Sequence, residues 1–276
     1  MSHPFWSQLE ARLHDQINRI DAVAGLCVRD LTTGDQIAVN GDHLFPTAST
    51  IKLHVLTQLF VQADAGKLDL AETLDGADWR VPGSGIISYL DDARTFTLRD
   101  YATMMIVLSD NSATNLIIDK VGIDAVNAML DELELPRTRL RRKMFDMQAG
   151  QEDNENVATP AELVTMLGLL HAGRPTESAA RQALTVLQKP KSSFIQRVLF
   201  YSDLVIANKP GWTSGIRSDA GIIYLPRRPY ALAVMLSYGY ARPEQMDTAM
   251  TDLIRTVHEH MSCLDASNRF GHAVFG

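Results

Sequence analysis

Apolar residues recur over the first twenty positions at near-helical intervals, at Phe5, Leu9, Leu13, Ile17 and Ile20, with charged and amide side chains between them. A stripe of that period buries one face of a helix, so the chain is expected to open with an amphipathic helix. The pattern then changes: GLCVRDL and QIAVN, on either side of Thr33-Gly34, read as the two strands of a hairpin. From Ser49 to about Ala63 apolar residues are dense and Gly66 follows, which predicts a mostly buried helix. Thr97-Leu98-Arg99-Asp100 opens another helix running through YATMMIVL, and helices continue over residues 111–119 and 124–133. Between about Pro136 and Ala158 the pattern fails, over a length too great for an ordinary connector, and a functional loop is expected. Thr159-Pro160, with Glu162 behind it, starts a helix. Helical segments run on to about Lys189, LVIANK, AGIIYL and YALAVMLSYG read as three strands, and residues 243–262 form a closing helix.

Strands near both ends with helices between them predict an α/β (α+β) fold, in which an antiparallel sheet from both termini is flanked by helices and carries an inserted all-helical lobe. The expected division is residues 1–42 plus 195–276 for the α/β lobe and 43–194 for the helical lobe. Together they form one structural domain, with a cleft expected where the lobes meet.

Composition narrows the partners. The chain has 276 residues, 46% of them hydrophobic, enough for proper cores. A net charge of -7 without a basic stripe disfavours nucleic acid and anionic membranes, and no window reaches the ~18 apolar residues of a membrane span. A small-molecule substrate is the partner expected; oligomeric state is left open. Cys27 and Cys263 are far apart, without metal-binding spacing, and are expected to be buried free thiols. His258 and His260 stand two apart on a helix and no HExxH is present, so neither a metal nor another cofactor is expected. The segment MSHPFWSQLEARLHDQINRI lacks the apolar core of an export signal, which predicts a cytoplasmic protein.

Three short elements could carry chemistry. In FPTASTIK, Ser49 and Lys52 lie three apart and share a helix face, so an amine can reach a hydroxyl near a helix N-terminus. A neutral lysine there could act as the base for a serine nucleophile, although the same spacing fits a serine cap beside a solvated lysine. Ser109-Asp110-Asn111, between two helices, fits either a capping turn or a proton relay with a substrate-holding amide. Lys209-Pro210-Gly211 ends a strand, as a plain turn would, or places a cation and a close backbone approach beside a ligand.

In that order, with GSGIISYL, FTLRDYATMMIVLSDNSATNLII and the TPAEL helix start around them, these elements resemble those of the class A β-lactamase and penicillin-binding serine acyltransferases. The resemblance spans roughly residues 20 to 260. It implies Ser49 as the acylated nucleophile, Lys52 as its base or base partner, Ser109 as proton relay, Asn111 as the substrate-amide ligand and Lys209 as the cleft cation. It also implies an oxyanion hole from the backbone N–H groups of Ser49 and Trp212, with Gly211 and the Trp212 side chain at the substrate.

Two departures matter for activity. Class A β-lactamases carry E-x-x-L-N in the irregular loop, where the glutamate activates the deacylating water; here the loop reads RLRRKMFDMQAGQEDNENVATP. The glutamate's place falls near Phe145 or Asp146, and Asp146 is the candidate substitute acid, with pairing to Arg141 or Arg142 as its other reading. Pro210 replaces the Thr or Ser that commonly helps to bind a carboxylate, leaving Ser214 and Arg217 to compensate. The expectation is a serine hydrolase that forms an acyl-enzyme on Ser49 from an amide or ester, with weak β-lactam hydrolysis. The alternative is a penicillin-binding or sensor protein that acylates without turnover.

Overall fold

The periodic stripes become helices and the apolar runs become strands in a computed structural model that describes residues 4–274. In chain order the N-terminal part gives α1 (Pro4–Asn18), β1 (Val23–Asp30), β2 (Gln36–Val39) and the two-residue strand β3 (Phe45–Pro46). The middle gives α2 (Lys52–Asp64), β4 (Thr73–Asp75), β5 (Thr95–Thr97), α3 (Leu98–Val107), α4 (Asn111–Val121) and α5 (Ile123–Glu132). The long loop holds α6 (Met147–Gln151) and β6 (Val157–Ala158), followed by α7 (Pro160–His171), α8 (Glu177–Leu187) and α9 (Phe194–Val198). The chain ends with β7 (Ile206–Thr213), β8 (Ile216–Ile223), β9 (Tyr230–Ser237) and α10 (Pro243–Asp265).

The residues fall into two compact units. The first collects the described residues through Ala48, the segment Thr159–Gly168 and the chain from Ser192 onward. The second is Ser49–Ala158 with Leu169–Lys191. Residues 1–3 and 275–276 of the expected sheet lobe lie outside the described residues.

The first unit is built on an antiparallel sheet in the order β2-β1-β9-β8-β7. The strand from the N-terminal hairpin is registered against the last one, from Val23 opposite Ser237 to Asp30 opposite Tyr230. α1 buries Trp6, Leu9, Leu13 and Ile17 in one apolar core with Leu26, Val28, Leu232 and Val234 of the sheet and Met250, Leu253 and Val257 of α10. The helical stripe therefore begins at Trp6; Phe5 instead stacks on His260, ring centroids 4.8 Å apart. Cys27 is buried as expected, whereas Cys263, on the polar side of the α10 stripe, is exposed.

In the second unit α2 is the central element, packed by α3, α4, α5 and α8. Lys52 through Phe60 are all buried. Helix starts follow local capping chemistry: Thr97 caps α3, Asp110 caps α4 and Thr176 caps α8, each accepting a bond from a backbone N–H three residues on. Three asparagine side chains stand in for strand partners of the long loop. Asn127 bonds both backbone groups of Leu140, Asn115 both of Met144, and Asn156 accepts from the N–H groups of Arg141 and Arg142. These amides supply the pairing that the patternless sequence lacks.

His54 lies on α2 with no exposed surface, and neither ring nitrogen meets a partner in hydrogen-bond geometry. Burial pushes its pKa down from 6.5 to about 4, against a weaker opposing pull from the Ile51 backbone. The folded chain thus holds the ring neutral where the unfolded chain binds a proton. Stability is full above about pH 6.5 and falls as pH drops toward 4, by about 3 kcal/mol from this residue. Urea denaturation of the wild type and His54→Leu between pH 7 and pH 4 is expected to show a flatter profile for the variant; parallel profiles would refute the assignment.

Candidate active site

The chemistry-bearing residues of the second unit converge on the start of α2. Ser49 sits half-buried in a single 3-10 turn, Ala48–Ile51, that leads directly into the helix. Ala48 before it holds a left-handed φ of 45°, uncommon for a residue with a side chain. That turn places Ser49 just before the positive end of α2, where developing negative charge is favoured.

Lys52, one turn on, is fully buried. Its Nζ donates to the Ser109 carbonyl at 2.7 Å, to Asn111 Oδ1 at 2.9 Å and to Ser109 Oγ at 3.2 Å. A buried lysine nitrogen requires such partners, and this one meets three acceptor atoms in a single turn. The sequence alone left Lys52 open as a solvated surface lysine; the structure buries it.

The SDN turn divides its labour. Ser109 adopts φ 52°, which turns both its carbonyl and its hydroxyl toward Lys52. Asp110, 1% exposed, faces the other way. Its Oδ1 accepts from Ala113 N at 2.9 Å, and its Oδ2 accepts from Ile86 N at 2.7 Å and Ile87 N at 3.0 Å. Asn111 N donates to the Ser84 carbonyl at 3.0 Å. The GSG segment is thereby strapped to the start of α4. Gly85, at φ 122°, is required there because a β-carbon would collide with the Asp110 carboxylate.

Phe145 completes the neighbourhood. A β-carbon on Gly83 would meet the Phe145 ring edge and would lie 2.9 Å from Asn111 Nδ2. The ring and the amide therefore share the space beside Gly83. Phe145 is held at φ 63° and is 44% exposed. Asp146, the sequence candidate for a substitute acid, is exposed and caps α6, its Oδ1 accepting from Ala149 N at 3.0 Å. Arg142 pairs with Glu155 at 2.7 Å instead of with Asp146.

The remaining candidates belong to the sheet unit. Lys209 is fully buried on β7, opposite Ala220, with its Nζ donating to the Pro210 carbonyl at 2.8 Å. Gly211 is buried on the same strand, Trp212 is half exposed, and Ser214 is exposed at the β7–β8 turn. Arg217 is engaged: its guanidinium pairs with Asp247 and donates to the carbonyls of Thr213 and Ile216, both at 3.0 Å. Among the described residues no cluster of His, Cys, Asp and Glu is placed to hold a metal, and no helix is long and apolar enough to cross a membrane.

An antiparallel sheet under α1 and α10, together with a helical unit centred on α2, is the α/β architecture of the class A β-lactamases. The chain belongs to the β-lactamase enzyme family, whose sequence model matches residues 8–261. A β-lactamase of Rhodobacter capsulatus is 26% identical over 91% of this chain and 86% of its own length. Among solved structures, a β-lactamase from Sphaerobacter thermophilus superposes with a TM-score of 0.84 at 28% identity, covering 93% of this chain and 98% of that one. PBP-A matches with a TM-score of 0.84 at 26% identity over 93% of this chain and 96% of its own. A mutant of PBP-A has been solved as an acyl-enzyme complex with penicillin G.

Proposed function

We propose that the protein is a serine hydrolase of small amides or esters, β-lactams among them, that forms an acyl-enzyme on Ser49 and releases it slowly. The observation that carries the proposal is the buried Lys52 amine, one helical turn after Ser49 and bonded to both Ser109 and Asn111. In this reading Lys52, as the free amine, takes the Ser49 proton while Ser49 Oγ attacks the carbonyl carbon. The backbone N–H group of Ser49 stabilises the oxyanion. Ser109 Oγ, next to the amine, passes the proton to the departing nitrogen or oxygen. Asn111 Nδ2 holds the substrate carbonyl.

Slow release follows from the residue beside Asn111. In this reading Phe145, whose ring edge shares the space beside Gly83 with Asn111 Nδ2, takes the place of the family's loop glutamate, while Asp146 is engaged as the cap of α6. The same observation favours the second reading, a penicillin-binding or sensor protein that acylates without turnover. Recognition of a substrate carboxylate is weak in either case, since Pro210 offers no hydroxyl and Arg217 is paired with Asp247.

Intact-mass spectrometry after mixing with a penicillin, a cephalosporin and an activated ester tests both readings. An adduct on Ser49 that decays over minutes supports the slow hydrolase, and one that persists for hours supports the sensor. Absence of any adduct or turnover would refute both. Phe145→Glu is expected to shorten the adduct lifetime by about 100-fold, the usual worth of a positioned general base. An unchanged lifetime would remove Phe145 from the argument.

A further inference from the structure

A concavity lies wholly within the sheet unit, between the end of α1 and the first turns of α10. Its volume is about 600 Å³, in the range of small-molecule sites. The floor is apolar: Ile20 and Ala22 on one side, Met246, Ala249 and Leu253 on the other. Met246 and Leu253 are continuous with the core of the unit, so the floor is held rigidly.

The rim carries charges of both signs, and most of them are neutralised in place. Arg19 pairs with Asp15, Arg242 with Asp21 and Asp252 with Arg255. Glu244 lines the same cavity and has no ion-pair partner among the described residues. It stands in the first turn of α10, exposed at the mouth. An apolar floor below one carboxylate that lacks an ion-pair partner among the described residues is complementary to a molecule with a compact apolar body and a single ammonium group.

We propose that this cavity is a binding site for small amphipathic amines, with the hydrocarbon or aromatic body over Ala249 and the ammonium at Glu244. The site is separate from the residues around Lys52 and does not depend on the reaction assigned to them. Tryptamine is a suitable probe, and its uncharged analogue tryptophol is the control. Amide-resolved NMR titration of the full chain is expected to show saturable tryptamine-induced shifts at residues 16–22 and 242–253, with Kd below about 1 mM. Tryptophol is expected to bind several-fold more weakly. Glu244→Gln, an exposed substitution that preserves the fold, is expected to weaken tryptamine about fivefold and leave tryptophol unchanged. Ala249→Trp fills the floor and is expected to abolish binding of both. The proposal is overturned if no saturable shifts arise at these residues by several millimolar, if tryptophol binds as tightly as tryptamine, or if Glu244→Gln binds tryptamine like the wild type.

Discussion

Ser49→Ala is expected to abolish covalent labelling by penicillins and activated esters and to lower any turnover by about 10⁴-fold or more, with the fold unchanged. The serine side chain makes no hydrogen bond among the described residues, so its removal withdraws nothing from the packing of α2. Lys52 keeps its contacts to Ser109 and Asn111 in the variant, since neither contact involves Ser49. Intact mass reads the labelling, and a thermal melt reads the fold. Continued labelling in a folded variant would place the nucleophile elsewhere and sink the acyl-enzyme proposal.

Asp110→Ala carries the largest expected loss of stability, about 4 kcal/mol in urea denaturation at pH 7. The carboxylate accepts three backbone N–H bonds, two of them from a different segment of chain. Charge-assisted bonds of this kind contribute more than neutral ones, and Ile87 N would be left buried without an acceptor. Asp110→Asn should lose roughly half as much, since one oxygen remains to cap α4 while the new amide opposes the N–H groups of Ile86 and Ile87. A loss below about 1 kcal/mol for the alanine variant would show that water or a shifted GSG segment replaces these bonds.

Most of the architecture was legible because it is carried by period. The α1 stripe, the run that becomes α2 and the three C-terminal strands each repeat their signal over several residues, and burial follows it. Short or exposed pieces had no such signal. The antiparallel β4–β5 pair has three residues a side, all exposed or half-buried, and α6 and α9 have five each. The patternless loop is ordered by Asn115, Asn127 and Asn156, whose amides act one residue at a time and leave no periodic trace.

Order and context in the sequence made Ser49, Lys52, Ser109 and Asn111 candidates, and the structure brings Lys52, Ser109 and Asn111 together, but the direction of each side chain was not legible. That Asp110 faces Ile86 while its neighbours face Lys52 depends on the positive φ of Ser109. That Asp146 caps α6, and that Phe145 beside it takes φ 63°, are likewise properties of the folded loop that composition does not encode. Trp6 in place of Phe5, and the exposed Cys263, are one-position differences of phase that apolar counting cannot resolve.

The pairing of β1 with β9 also governs how the protein can be made. Val23 leaves the ribosome more than two hundred residues ahead of Ser237, its partner in the register. At ordinary synthesis rates that is an interval of roughly ten to forty seconds. Throughout it the nascent β1–β2 hairpin presents an open strand edge rich in Ala, Leu, Cys and Val, a template for pairing with other chains. The helices around α2 rest on contacts closer in sequence and can settle during the wait. The exposed edge of β1 thus stays open until β9, its partner in the register, has been made.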